Sequence, residues 1–163
     1  MQTHCGSSTT GGTWYFIENL KLHFPDNAKL LLNYHPEYGR LSSVKIGIAA
    51  LESEYLVFIQ NVDNPLLNTK TLNLLIVGLG DFNYVFPLYK GRGEHPVLIT
   101  KPVMNSIIKS QKADINLKDY LQQFRSNSIN VDDETVLLNI NTTEDYKKLI
   151  SDECELCSIR CHY

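Results

Sequence analysis

The chain has 163 residues, enough for one domain with a substantial hydrophobic core. Hydrophobic residues make up 43% of the chain and charged residues 20%, which is typical of a globular protein. The formal net charge of −3 argues against non-specific electrostatic binding to DNA or RNA. Neither end has an apolar run of about 18 residues, and residues 1–12 lack the apolar stretch of a secretory signal. We therefore expect a cytoplasmic protein without a membrane-spanning helix.

The two ends differ in composition from the middle of the chain. Residues 1–12 are rich in Gly, Ser and Thr and predict a flexible lead-in, whereas residues 13–150 predict a single domain. Residues 151–163 hold Cys154, Cys157 and Cys161, followed by His162. Thiolates and imidazole at this spacing suit Zn²⁺ or an iron–sulfur cluster, and free thiols on a frayed tail are the alternative.

Hydrophobic periodicity predicts the elements of the domain. In chain order they are a helix at 13–24, a strand at 29–33, a helix at 42–51, a strand at 55–60, a helix from 68 or 69 to 77, strands at 82–87 and 96–99, helices at 102–111 and 117–124, strands at 130–132 and 136–140, and a helix that begins at 142 or 143 with a capping-box pattern. This alternation predicts an α/β fold, with a Rossmann-like, doubly wound and mostly parallel sheet covered on both faces. Ligands of such sheets bind at the carboxyl ends of the strands, so the loops after Asn33, Gln60 and Ile140 should meet there.

The segment VFIQNVDNPLL (57–67) places Asp63 just after an apolar strand, with Pro65 two residues later. A carboxylate at this position is a hard oxygen ligand that suits Mg²⁺, which prefers one or two carboxylates together with phosphate oxygens and water. The alternative is that Asp63 and Pro65 only form a turn and cap the next helix.

The segment YHPEYGRLSSVKIGIAAL (34–51) carries Arg40 and Ser43 at the expected start of a helix. Backbone N–H groups and hydroxyls at a helix N-terminus favour an anion, and the guanidinium adds donors suited to phosphate. A serine N-cap beside a solvated arginine explains the same pattern.

Two further segments carry polar residues. In LLNINTTEDYKKL (137–149), Asn139 and Asn141 lie two residues apart and so on the same side of a predicted strand end. Asn141 either contacts metal-bound phosphates or orients Asp63, and a helix-capping turn is the alternative. In KGRGEHPVLI (90–99), Arg92 and His95 occupy a glycine-rich loop, which either closes over a substrate or forms an ordinary hairpin.

Taken together and in order, these four segments resemble the MobA-like nucleotidyltransferases, especially the molybdenum-cofactor cytidylyltransferase branch. The resemblance covers residues 28–150. The spacing of Arg40, Ser43, Val44 and Gly47 is also similar to that of methylerythritol-phosphate cytidylyltransferases, whereas Asp63 and Pro65 fit the molybdenum-cofactor branch better. The resemblance implies a fold of the nucleotide-diphospho-sugar transferase type.

The resemblance also implies an activity and its residues. A nucleotidyl group would pass from a nucleoside triphosphate, CTP or GTP, to a phosphorylated small-molecule acceptor, with release of pyrophosphate. Asp63 would be the catalytic Mg²⁺ ligand, with Asn141 beside the metal. The nucleotide-side residues would be Gly39, Arg40, Ser42, Ser43 and Asn141, and the acceptor-side loop would contain Arg92, Gly93 and His95. Glu94 interrupts the Gly-His-Pro that this loop usually carries.

The family opens with a strand and a glycine-rich loop bearing Arg and Lys, which cradles the triphosphate. No G-x-S-x-R-x-G-x-x-K pattern occurs in this chain, and Gly6 to Gly12 (GSSTTGG) has neither cation. We therefore expect an N-terminally incomplete fold: a truncated product, a split gene or a catalytically silent member that acts as a binding or assembly module. An uncovered sheet edge would also favour homo-oligomers.

Overall fold

The computed structural model describes residues 2–4, 28–51, 56–93, 95–111 and 115–150. The strands are β1 (Gln2–His4), β2 (Leu30–Leu32), β3 (Leu56–Ile59), β4 (Tyr84–Leu88), β5 (Val97–Thr100) and β6 (Ser126–Asn130). The helices are α1 (Arg40–Ala49), α2 (Thr69–Leu79), α3 (Lys101–Lys109), α4 (Leu117–Leu121) and α5 (143–150). Short 3₁₀ turns form at Pro36–Tyr38 and Glu134–Leu137.

The main sheet has four strands in the order β3–β5–β4–β6. β4 and β6 pair in parallel, whereas β5 pairs antiparallel with both β3 and β4. β3, β4 and β6 therefore share one direction, and only β5 is reversed. β1 and β2 form a separate parallel pair. The α/β fold is confirmed, and its sheet is mixed because of the single strand β5.

Apolar side chains pack on both faces of this sheet, as a doubly wound fold requires. Alternation along β4 sends Tyr84 to one face and Val85 to the other. The Val85 face packs against α2 through Leu75 and Leu79. The Tyr84 face packs against α1, α3 and α4, where the buried side chains are Leu41, Val44, Ile48, Val103, Met104, Ile107, Leu117, Tyr120 and Leu121. The loops between the elements are thus carried by a rigid two-sided core.

Local capping signals place several helices where the sequence predicts them. The Asn68 side chain accepts the Lys70 N–H at 2.9 Å and begins α2, while Asn116 accepts the Lys118 N–H at 3.0 Å and begins α4. Both side chains satisfy backbone donors that a helix start leaves free. Helix α1 differs, because it begins at Arg40 behind Gly39 rather than at Ser42.

The predicted strands at 130–132 and 136–140 are wrong. The strand is β6, residues 126–130, whose polar sequence SNSIN pairs with the whole of β4. Residues 134–137 form a 3₁₀ turn, and residues 138–140 have no regular structure. The apolar run that suggested a strand instead anchors this turn through the buried Val136. In β6 the exposed residues Ser126, Ser128 and Asn130 alternate with the partly buried Asn127 and Ile129, which explains why its apolar pattern is weak.

The first turn of α5 is a capping box. The Asp145 N–H donates to the Thr142 hydroxyl at 3.1 Å, and the Asp145 carboxylate accepts the backbone N–H groups of Asn141 and Thr142 at 3.1 and 2.9 Å. The predicted capping pattern is confirmed, with Asp145 as the acidic member.

These contacts give α5 a pH dependence. The hydrogen bond with Thr142, followed by the two backbone N–H groups, holds the pKa of Asp145 below its usual value of 3.8. A lowered folded-state pKa stabilises the helix start above the unfolded pKa, and that stabilisation disappears as pH falls through the folded one. Protection of the Tyr146 amide, which bonds Thr142 O, should therefore fall in hydrogen-exchange NMR as pH is lowered from 5 toward 3. In Asp145→Asn this pH dependence should vanish; if it persists, another group causes it.

Three predictions concern the ends. Residues 2–4 form β1, so this part of the expected lead-in is a strand that pairs with β2. The remainder of that lead-in, the helix at 13–24 and the cysteine tail lie outside the described residues.

Within the described ranges, no helix has the length and apolar character needed to cross a membrane.

Candidate functional site

The start of α1, the end of β3 and the loop before β5 meet at the Arg40 side chain. Its guanidinium donates a hydrogen bond to Asn61 Oδ1 and lies 3.5 Å from His95 Nε2. Asn61 follows β3, and His95 precedes β5. The structure therefore brings Arg40 and His95 together across 55 residues of sequence. Because the guanidinium has more than one donor edge, Arg40 can hold these loops while it faces an anion.

A buried amide supports the loop before α1. Asn33 is 5% exposed, and its Nδ2 donates to the Ser42 and Ser43 hydroxyls at 2.8 and 2.9 Å. Its Oδ1 accepts the His35 N–H at 2.9 Å. Ser43 is buried and its hydroxyl faces Asn33, so it supports the loop from the interior. Of the two serines predicted to contact a nucleotide, Ser42 is the one that reaches the surface.

Gly39 allows the chain to turn into α1. Its φ of 75° lies in the region that side chains disfavour, and its carbonyl accepts the Ser42 hydroxyl at 2.8 Å. The α1 N-terminus consequently presents its first backbone N–H groups at the same corner as Arg40. Donors grouped in this way suit an anionic ligand.

Asp63 lies in a turn at the carboxyl end of β3. The turn predicted as one alternative is present, but the helix cap is not, because Asn68 caps α2. Among the described residues, no donor forms a hydrogen bond with the Asp63 carboxylate, which is partly exposed. Its carbonyl accepts the Ile140 N–H at 2.6 Å. This carboxylate is available to a ligand.

Asn141 comes next to Asp63 by a different route from the one predicted. Residues 138–140 are irregular, so Asn139 and Asn141 do not share the side of a strand. The bond from Ile140 to Asp63 nevertheless places the following residue, Asn141, beside the turn. The Asn141 N–H is held by Asp145, and its side chain is exposed.

The glycine-rich loop is a tight hairpin. Tyr89 and Arg92 exchange backbone hydrogen bonds of 2.7 and 3.0 Å, and both central residues, Lys90 and Gly91, have positive φ. This is a type I′ geometry, so the predicted hairpin alternative is what forms. Arg92 is exposed at its end. The structure does not connect Arg92 with the Arg40–His95 contact.

The pKa values of two surface groups near these loops are shifted. A hydrogen bond from the backbone of Glu37 itself, and then one from the His35 ring at 3.0 Å, hold the pKa of the Glu37 carboxyl below its usual range. The Tyr89 hydroxyl raises the pKa of Lys90, whose ammonium lies 4.8 Å from the Tyr89 ring centre. Both groups are fully charged at neutral pH, so the hairpin presents cations and the α1 loop presents one anion.

The donor set at the Asp63 turn fits a divalent cation that is held together with a phosphate. Asp63 offers a carboxylate and Asn141 an amide oxygen, both hard oxygen donors. In the described ranges, no group of three or more His, Cys, Asp or Glu side chains is placed to hold a metal. A Mg²⁺ ion that retains several waters and binds through substrate phosphates needs only one or two protein carboxylates.

A cleft of about 450 Å³ adjoins the site on its α1 side. It runs between α1 and α3 and is lined by Tyr38, Leu41, Ser42, Lys45, Ile107, Ser110 and Gln111. The Lys45 ammonium donates to Ser110 O at 2.8 Å and bridges the two helices. Asp63 is not among the residues that line this cleft.

Sequence reasoning missed three amides of this region. Asn33 anchors the α1 loop, Asn61 orients Arg40, and Asn64 is 2% exposed beside Asp63. Each follows an apolar strand directly or within a few residues. An amide in such a position is a recognisable signal, because it can bond backbone groups where a strand leaves the sheet.

Comparison with known proteins agrees with this architecture. A family model of the MobA-like NTP transferase domain matches residues 17–128. The molybdenum cofactor cytidylyltransferase of Escherichia coli K12 is 26% identical over 138 residues, which cover 82% of this chain and 69% of that protein.

Solved structures show the same fold. A homologue of Mycobacterium tuberculosis Rv0371c from Mycobacterium sp. strain JC1 superposes with a TM-score of 0.67 at 17% identity, covering 85% of this chain and 72% of that one. Rv0371c of M. tuberculosis H37Rv in complex with manganese gives a TM-score of 0.66 at 15% identity, with coverages of 83% and 73%. The family match spans more than half of the chain, and the chain belongs to the MobA-like NTP transferase domain family.

Proposed function

We propose that this chain transfers a nucleotidyl group from CTP to a phosphorylated small-molecule acceptor of the molybdenum-cofactor type, with release of pyrophosphate. The observation that carries the proposal is the meeting of Arg40 with Asn61 and His95 on one side, and of Asp63 with the Asn141 segment on the other. These contacts gather cationic and oxygen donors at the carboxyl ends of β2 and β3, where this fold binds its ligands.

The reaction needs charge neutralisation more than covalent chemistry. An acceptor phosphate oxygen attacks the α-phosphorus of CTP, and the bond to the pyrophosphate oxygen breaks. Asp63 and Asn141 would hold Mg²⁺, which supplies positive charge to the triphosphate when bound. Arg40 and the N–H groups at the start of α1 bind negative charge at the nucleotide. Arg92 at the exposed hairpin end would bind the acceptor, and Gly93 and His95 would shape that loop.

Two comparisons support the finer parts of the proposal. The similarity to the Escherichia coli cytidylyltransferase favours CTP over GTP and a molybdenum-cofactor acceptor. The Rv0371c complex with manganese supports divalent-metal use, and the oxygen donors Asp63 and Asn141 suit Mg²⁺ equally.

A binding or assembly module without catalysis is the second candidate. It is favoured by one observation, the lack of a G-x-S-x-R-x-G-x-x-K pattern in the sequence. Without those cations, the residues at the Asp63 turn would bind a nucleotide but would stabilise departing pyrophosphate poorly.

A turnover assay combined with calorimetry separates these candidates. We expect pyrophosphate release from CTP, with Mg²⁺ and the molybdenum cofactor present, to exceed release from GTP by roughly tenfold, which corresponds to about 1.4 kcal/mol of discrimination. Binding heat with CTP but no pyrophosphate favours the binding module. If no nucleoside triphosphate gives heat or a thermal shift in the presence of Mg²⁺, both candidates are wrong.

A further inference from the structure

The Asp63 turn is attached to the C-terminal part of the domain at two points. The Ile140 N–H donates to the Asp63 carbonyl at 2.6 Å, and the Asn64 side-chain Nδ2 donates to the Val136 carbonyl at 3.1 Å. On one side the contacts are made by the adjacent residues Asp63 and Asn64. On the other side they are made by Val136 and Ile140, four residues apart. Together they set both the distance and the angle between the Asp63 turn and the segment that leads into Asn141.

Both sides of this attachment are themselves anchored. The buried Asp133 carboxylate accepts the Thr135 N–H at 3.1 Å, the Thr135 hydroxyl at 2.6 Å and the Thr71 hydroxyl at 2.5 Å. The 3₁₀ turn that contains Val136 is thereby fixed to the first turn of α2. On the other side, the Gln60 side-chain amide donates to the Asn64 carbonyl. Asn64 thus links two rigid parts of the fold.

The two polar atoms of the Asn64 side chain differ, because Nδ2 donates to the Val136 carbonyl whereas Oδ1 has no donor among the described residues. Asn64 is 2% exposed, and its Oδ1 is buried. A buried amide oxygen without a donor destabilises the folded state, so the hydrogen bond from Nδ2 is the contribution that can account for an amide here. What an apolar residue cannot supply is the Nδ2 donor that holds Val136.

We propose that Asn64 is a positioning residue that sets the separation of Asp63 and Asn141 for a divalent cation, an inference that rests on the proposed function. Asn64 would not be a ligand of that cation, because its Nδ2 donates to the Val136 carbonyl. It acts through the backbone, because loss of the Val136 contact leaves the Ile140 bond as the one remaining hydrogen bond between these two segments among the described residues.

The test compares two asparagines that make the same kind of bond. Asn64→Asp replaces the donor with an acceptor that faces the Val136 carbonyl, at nearly constant volume. Asn127→Asp makes the same change where Asn127 Nδ2 donates to Gly78 O at 2.8 Å, between β6 and α2. Asn64→Leu removes the donor without adding charge. It is the second test variant, to be used if Asn64→Asp does not fold.

Two readouts are measured on the folded full-length chain. The first is the Mn²⁺ concentration that half-saturates the protein in the presence of CTP, followed by electron paramagnetic resonance. We expect Asn64→Asp and Asn64→Leu to raise it about tenfold, as is usual when groups that orient metal ligands are lost, and Asn127→Asp to leave it within about twofold. The second is exchange of the Ile140 amide, which should become faster in the Asn64 variants than their global stability accounts for.

Three results would overturn the proposal, and they are distinguishable. Unchanged Mn²⁺ binding in both Asn64 variants shows that the contact does not position the metal ligands. An equal loss of Mn²⁺ affinity in Asn127→Asp shows that the weaker binding comes from reduced stability of the fold alone. A wild-type chain that binds no Mn²⁺ with CTP refutes the metal role in the proposed function, and the positioning role falls with it.

Discussion

Replacing Asp63 with alanine should lower the rate of pyrophosphate release by a factor on the order of 10³. Asp63 is the carboxylate at the junction between the β3 turn and the Asn141 segment, and no described residue donates a hydrogen bond to it. Its removal would leave the amide of Asn141 as the protein ligand for a divalent cation. The expected loss is mostly in kcat, because the leaving pyrophosphate carries more negative charge in the transition state than in the bound substrate.

The same substitution should change stability little. The structural contact of Asp63 is made by its backbone carbonyl, which alanine retains. Asp63→Asn keeps the shape and removes the charge, so it should lose most of the activity as well. Asp81→Ala, an exposed aspartate in the turn after α2, is the matched control and should retain full activity. Steady-state kinetics and thermal unfolding of the three variants decide the matter; an active Asp63→Ala would remove this residue from the mechanism.

Replacing Gly93 with alanine should destabilise the fold by about 2–4 kcal/mol. Gly93 has a φ of 141°, and a Cβ atom there would lie 2.7 Å from the Pro87 carbonyl oxygen. The obstacle is backbone in the central strand β4, which cannot move aside without disturbing its pairing with β6. The relief of this clash would displace the chain leading to His95, so contact with Arg40 should also weaken.

Gly91 is the matched control because it lies in the same hairpin with a φ of 76° and has open space where a Cβ atom would lie. Gly91→Ala therefore carries only the backbone strain, on the order of 1 kcal/mol. Urea unfolding of both variants measures the difference. If Gly93→Ala and Gly91→Ala are equally stable, the close approach to Pro87 is relieved without cost and the hairpin is more adaptable than its geometry indicates.

Local chemistry explains which elements were predictable. Asn68 and Asn116 accept N–H groups two residues ahead, and Thr142 forms a box with Asp145 three residues ahead. Such contacts depend on nearby residues only, so the sequence carries them in full. The strand β6 does not, because its polar residues pair with β4 across more than forty positions of sequence. Its strand character comes from the partner and not from its own composition.

The candidate site likewise has features that depend on local sequence and features that depend on distant contacts. Asp63 is a candidate from the sequence because its carboxylate directly follows an apolar strand. The meeting of the loops after β2 and β3 follows from the alternation of strands and helices. The α/β class and the family also follow from ordered local motifs. Sequence alone therefore determined the class of fold, most helix starts and the residue at the centre of the proposed chemistry.

Only the tertiary structure decided how those residues are held. Arg40 reaches His95 across the molecule, Ser43 turns inward to Asn33, and Asn64 bonds Val136 from 72 positions away. A hydrogen bond between distant residues depends on how two elements pack, and each amide has several donors and acceptors that could be satisfied in other ways. Packing selects among them, which is why Asp63 was visible in the sequence and the hydrogen bond from its neighbour Asn64 to Val136 was not.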